Sequence, residues 1–208
     1  FRNNLNIRPL GYCYLKNDVL SVSDFFFWNT KNNFNTKINI TNLASQVLPN
    51  INQKTNVLFI FYDYQGNIIL KKKHELKYFE SFSFVVSDFL KNNFGSLAIF
   101  QSFKDFKELK RHGSYVTEKG YIGYNFENGP WNYVHGNNST LSYTSSEKIY
   151  PLLSHTILKS NSYIPQVRLD DCQNTSLIFN NPLNINLRTT IDLYDFNWKK
   201  LSTFREIV

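Results

Sequence analysis

One strand pattern occurs twice in this chain, and the repetition restricts its fold more than any other feature. The first copy reads Asn35-Thr36-Lys37-Ile38-Asn39-Ile40-Thr41-Asn42 and then, after a loop, runs from Val57 into Tyr62-Asp63-Tyr64-Gln65. The second reads Asn174-Thr175-Ser176-Leu177-Ile178-Phe179-Asn180-Asn181 and then runs from Thr189 into Tyr194-Asp195-Phe196-Asn197. Both copies hold Asn-Thr-x-apolar-x-apolar-x-Asn followed, in the same order, by a strand-like run closing on Tyr-Asp-aromatic-amide, which is the mark of a duplicated supersecondary unit.

Each copy alternates with the two-residue period of a strand lying on a core. Ile38 and Ile40 alternate with Lys37, Asn39 and Thr41, and Ile185, Leu187, Thr189, Ile191 and Leu193 alternate with polar residues. Aligning the two Tyr-Asp pairs sets Phe59 against Ile191 and Phe61 against Leu193, so the same face is apolar in both. Tyr64-Gln65-Gly66-Asn67 then reads as a hairpin turn into Ile68-Ile69-Leu70, with Gly66 supplying the positive φ that such turns favour. Phe82 and Phe84 alternate with serines, and Leu97 to Phe100 follows Gly95 as a further short strand. The one candidate helix is short, after Ser102, with Asp105 completing a capping-box-like pair ahead of Phe106 and Leu109, the alternative there being a loop.

The expected fold is all-β, with tandem antiparallel β-sandwich modules at 1–111 and 112–208 and a Gly/aromatic hairpin at 113–139. In outline the pattern is similar to the tandem immunoglobulin-like modules of bacterial surface and accessory proteins. That likeness covers Asn35 to Phe100 and the start of the second copy, and it implies a fold style alone. The second module is expected to be incomplete, or completed by earlier strands, since only fourteen residues follow Tyr194. The chain also lacks methionine, which fits a processed or trimmed protein. At 208 residues and 42% hydrophobic it is long enough for two modest cores, and 19 Phe with 13 Tyr make rings a large share of what those cores bury.

The composition excludes several classes. The longest apolar run, Val57 to Tyr64, is too short for a membrane-spanning helix. Cys13 and Cys172 are far apart with no metal-like spacing and read as free buried thiols, so no metal and no cofactor are expected. The net charge of +7 raises the question of a polyanionic partner. Lys71-Lys72-Lys73, however, falls on the strand leaving the hairpin, where lysines protect a sheet edge, and together with the Lys104–Arg111 cluster it gives no nucleic-acid motif. His74, His112, His135 and His155 lack ligand spacing, and no nucleophile elbow, phosphate loop or dinucleotide fingerprint occurs. Glu118 and Glu127 flank the aromatic segment as the one carboxylate pair a carbohydrate hydrolase would use, at a separation sequence does not give.

The stretch from Gly113 to Ser139 differs from its surroundings. It holds five of the eight glycines beside Tyr115, Tyr121, Tyr124, Phe126, Trp131, Tyr133 and His135. Asn128-Gly129-Pro130 predicts a turn between two strands. Clustered rings with amide and imidazole neighbours form the kind of polar-edged platform on which sugar rings stack. The expected ligand-binding residues are Tyr121, Tyr124, Trp131, Tyr133, His135 and Asn137, the last four falling on one face if they form a strand. The sequence thus predicts a non-catalytic binding module, with a carbohydrate or polysaccharide as ligand. The alternative is a structural β-sandwich protein that assembles with itself or a protein partner. The repeated strands are expected to be spent on the cores, leaving recognition to the Gly/aromatic segment.

Overall fold

The computed structural model describes residues 19–42, 45, 54–103, 120–151, 176–181 and 186–207. The chain divides into two compact units, Phe1–Leu152 and Leu153–Val208.

The first unit is an antiparallel β-sandwich, as the alternation requires. Among the described residues ten strands build it: β1 (Val19–Asn29), β2 (Phe34–Thr41), β3 (Thr55–Asp63), β4 (Ile68–Leu76), β5 (Ser81–Val85), β6 (Phe94–Phe103), β7 (Gly120–Phe126), β8 (Asn132–His135), β9 (Asn137–Thr144) and β10 (Ile149–Pro151). A six-stranded sheet runs β10-β9-β1-β6-β3-β4 and a four-stranded sheet runs β5-β2-β7-β8. The strands β7 to β10, expected to open a second module at 112, therefore complete the sheets of the first. Sequence could not place that boundary because it is fixed by long-range pairing of β2 with β7 and of β1 with β9.

The two sheets enclose one core. Ile38, Ile40 and Ile122 from the smaller sheet meet Phe26, Trp28, Phe59, Phe61, Leu97 and Ile99 from the larger. Trp28 is fully buried, and its indole N–H is divided between Tyr62 O at 3.0 Å and Ser96 O at 3.1 Å, so its one polar atom has partners. The inward assignments of Ile38, Ile40, Phe59 and Phe61 hold, while Phe82 and Phe84, on the edge strand β5, are half-buried.

The larger sheet is buried on its other face as well. Phe25, Leu58, Ile60, Ala98, Phe100 and Leu141 form a second cluster there, with Tyr143 and Ile149 packed against it. Lys73 of β4 and Glu147 of the β9–β10 turn sit at opposite ends of the sheet order, yet their charged groups are 3.3 Å apart. The sheet must curl until its edges approach, and two irregularities in the β1–β9 register supply the local twist. The unbroken run Val57-Leu58-Phe59-Ile60-Phe61 is the sequence trace of this arrangement, since a strand covered on both faces has no polar side.

In the second unit the regular structure among the described residues is one hairpin, β11 (Arg188–Tyr194) with β12 (Lys200–Ile207). It repeats β3–β4 in detail. Asp63 Oδ1 accepts the backbone N–H groups of Gln65 and Asn67, each at 2.9 Å, and Asp195 Oδ1 accepts those of Asn197 and Lys199 at the same distances. The register slips at Phe61/Tyr62 in one hairpin and at Leu193/Tyr194 in the other. The second half of the repeat is therefore a structural repeat. The first half is not: Asn35–Thr41 lies in β2, but residues 176–181 are not in a strand, and Leu177, Ile178 and Phe179 are exposed. Alternation alone does not make a strand, which also needs a neighbouring strand to pair with.

Ser102 lies in β6 and donates its hydroxyl to Asn56 O, so the strand runs on where a helix start was expected. Cys13, Cys172, Ile185, Glu118, His112, His155 and the Lys104–Arg111 stretch lie outside the described residues. No helix among the described residues is long and apolar enough to cross a membrane, and none of their His, Cys, Asp and Glu side chains cluster as a metal site would require.

Candidate functional site

The Gly/aromatic segment folds into the expected hairpin, with β7 and β8 paired and the turn between them closed by a bond from Gly129 N–H to Phe126 O at 2.8 Å. Glu127 and Asn128 both take positive φ, 48° and 61°, which is the backbone of a type I′ turn. Register then determines which side chains share a face, since residues directly opposite in an antiparallel pair point the same way. Asn39, Tyr121 and His135 form one row across β2, β7 and β8; Lys37, Gly123 and Tyr133 form the next. These rows lie on the side of the smaller sheet away from Ile38 and Ile122, and so on its outer surface.

On that surface Tyr121 is 51% and Tyr133 44% exposed, and His135 is exposed beside them. Trp131, half-buried just before β8, has the Lys37 ammonium over its ring at 5.9 Å from the centroid. Tyr121 and Tyr133 are diagonal neighbours, within reach of each other for side chains of aromatic size. Gly123 gives Tyr133 space to lie flat across β7, its ring carbons occupying the place a side chain at 123 would take. The site is therefore a shallow strip of rings with a cation and an amide along one side.

Four of the six expected residues come together in this way: Tyr121, Trp131, Tyr133 and His135. Tyr124 does not. It is three positions from Tyr121, an odd step that sends it to the opposite face of the strand. Its ring packs against the core, its hydroxyl donates to Phe27 O at 2.6 Å, and burial pushes its phenol well above the ordinary tyrosine range. Asn137 also leaves the site. The chain departs from β8 after His135 and passes through Gly136 into β9, where Asn137 pairs with Phe25 in the other sheet. Alternation cannot carry a face across that change of sheet.

The sequence reading also missed two members. Lys37 and Asn39 belong to the repeated strand β2, which was expected to serve the core alone, yet β2 lies between β5 and β7 and its polar positions occupy the middle of this face. Their alternation with Ile38 and Ile40 showed that they point to solvent, but nothing local in sequence showed that they stand beside Tyr121 and Tyr133. Glu127 sits in the turn, exposed, with its N–H bonded to Asn33 O at 3.1 Å, at the end of the sheet and apart from the ring strip. Comparison of the chain with protein-family models, with curated proteins and with solved structures returns no match.

Proposed function

We propose that this protein is a non-catalytic carbohydrate-binding module whose ligand lies along the outer face of the β5-β2-β7-β8 sheet. The observation that carries the reading is the exposure of Tyr121 and Tyr133 in adjacent rows of a regular sheet, with Trp131, His135, Lys37 and Asn39 around them. Rings held by paired strands present their faces without loop reordering, so little entropy is lost on binding. Sugar C–H surfaces stack on such rings, while amide, imidazole and ammonium groups at their margins hydrogen-bond the hydroxyls. The strip is open, which suits a polymer better than a small molecule. A glycan array followed by calorimetry tests the reading, with a glycan titrating against the native chain and not against Trp131→Ala.

A second reading, self-assembly through a sheet face, is favoured by the β11–β12 hairpin. Phe196 is 93% and Trp198 69% exposed at its turn, and Leu201 and Ile207 are exposed along it. Analytical ultracentrifugation of the native chain and of a Phe196→Ser/Trp198→Ser variant separates the two: a concentration-dependent dimer lost in the variant supports assembly.

A further inference from the structure

We infer that the glycan taken by this face is anionic, a polyuronate whose ring carboxylates meet Lys37; the inference rests on the carbohydrate-binding reading above. No Asp or Glu occupies an outward position on β5, β2, β7 or β8: the register rows bring only serines, asparagines, a threonine, a valine, a glycine, two tyrosines, Lys37 and His135 to that side. Among the described residues of these strands, the face therefore carries positive charge and no carboxylate to balance it. Lys31 and Lys72 likewise stand over aromatic rings, while Lys54, Lys73 and Lys200 have carboxylate partners, Glu75 at 2.8 Å, Glu147 at 3.3 Å and Asp192 at 3.0 Å. Lys37 has none among the described residues. It stands instead between Val85 and Gly123, with its ammonium over the Trp131 ring.

That position decides the chemistry of the ligand. A sugar ring resting on Tyr133, in the same row as Lys37, brings its substituents toward the ammonium that stands over the Trp131 ring. A carboxylate there forms a charge-assisted hydrogen bond, stronger than the bond a neutral hydroxyl would make to the same group. His135, in the next row beside Tyr121, offers a ring N–H as a second donor, and Asn39 serves the hydroxyls. One fixed cation surrounded by rings and amides matches one carboxylate per sugar. A densely sulfated chain carries several charges per disaccharide and calls for a cluster of cations, which the described residues of these four strands do not supply.

The test is calorimetric titration of the full chain with polygalacturonate, neutral xylan and heparin, at 50 and at 500 mM NaCl, with melting temperatures recorded for every variant. The native chain should bind polygalacturonate about tenfold or more tightly than xylan, the margin shrinking at high salt. Lys37→Gln should remove the margin, weakening polygalacturonate binding far more than xylan binding, and Lys37→Arg should keep it. Equal binding of xylan and polygalacturonate, with Lys37→Gln silent, overturns the anionic assignment and leaves the carbohydrate reading standing. Heparin binding tighter than polygalacturonate also overturns it. Binding of none of the three by a folded native chain, with no glycan found on an array, removes the carbohydrate reading itself.

Discussion

Tyr133 stands directly opposite Gly123 across the β7–β8 pair, and a Cβ at position 123 would fall 2.7 Å from Tyr133 Cε1. The ring can move aside, being a side chain at the surface, but it cannot then lie along the strip. Gly123→Ala is therefore expected to weaken glycan binding several-fold at a stability cost of about 1 kcal/mol. Titration and a thermal melt on the same variant check it; unchanged affinity would show that the orientation of Tyr133 is irrelevant to recognition.

Tyr124 offers a pH-dependent readout of the core. Burial raises its pKa, so the folded chain retains the phenolic proton at pH values where the unfolded chain, near the ordinary 10, has begun to lose it. In that window the native state binds more protons than the unfolded state, and stability falls as pH rises. The contribution is complete below pH about 10 and is lost above it. Burial raises Tyr62 in the same direction. Melting temperature should be level through mild alkali and drop beyond it, with a smaller drop in Tyr124→Phe. That variant should also lose about 1 kcal/mol at neutral pH, because Phe27 O gives up its partner.

Phe59 and Trp131 separate core from site. Phe59 is fully buried, edge-on to Phe84 at 5.1 Å, and Phe59→Ala should cost roughly 3–5 kcal/mol. Trp131 is half-buried on the outer surface, and Trp131→Ala should leave the melting temperature nearly unchanged while abolishing glycan binding. Large destabilisation by Trp131→Ala would identify it as a packing residue and withdraw it from the site.

The sequence made these faces legible wherever one strand decides them. Ile38 and Ile40 were assigned inward, and the β3–β4 and β7–β8 hairpins placed, from alternation and turn residues alone, because period two and turn chemistry are local. What stayed hidden depends on which strands become neighbours. Tyr124 was grouped with Tyr121 by proximity in sequence although strand parity separates them. Lys37 was set apart from Tyr133 by nearly a hundred residues although β2–β7 pairing places them in one row. The burial of Leu58 and Ile60 likewise follows from the curl that brings Glu147 to Lys73, which no window of sequence contains.

The matched turns of the two hairpins give a final prediction, since they carry different residues at one demanding position. Gly66 and Trp198 each stand three residues after the capping aspartate, where the backbone takes positive φ, 85° and 61° respectively, and each donates its N–H to that aspartate's carbonyl at 3.1 Å. Glycine adopts this conformation freely; a side chain there costs on the order of 1 kcal/mol. Gly66→Ala should thus destabilise the first unit by about 1 kcal/mol although nothing lies within 4 Å of the added carbon, which rules out a clash as the cause. Trp198→Gly should do the reverse for the β11–β12 hairpin, with part of the gain offset by loss of the ring contact to Tyr194 at 6.2 Å. Hydrogen exchange at the strand amides on either side of each turn reads the two effects separately. Faster exchange around Tyr62 in Gly66→Ala and slower exchange around Tyr194 in Trp198→Gly is the expected pair, and the same sign in both would show that the two turns, alike in their hydrogen bonds, do not share a backbone energetics.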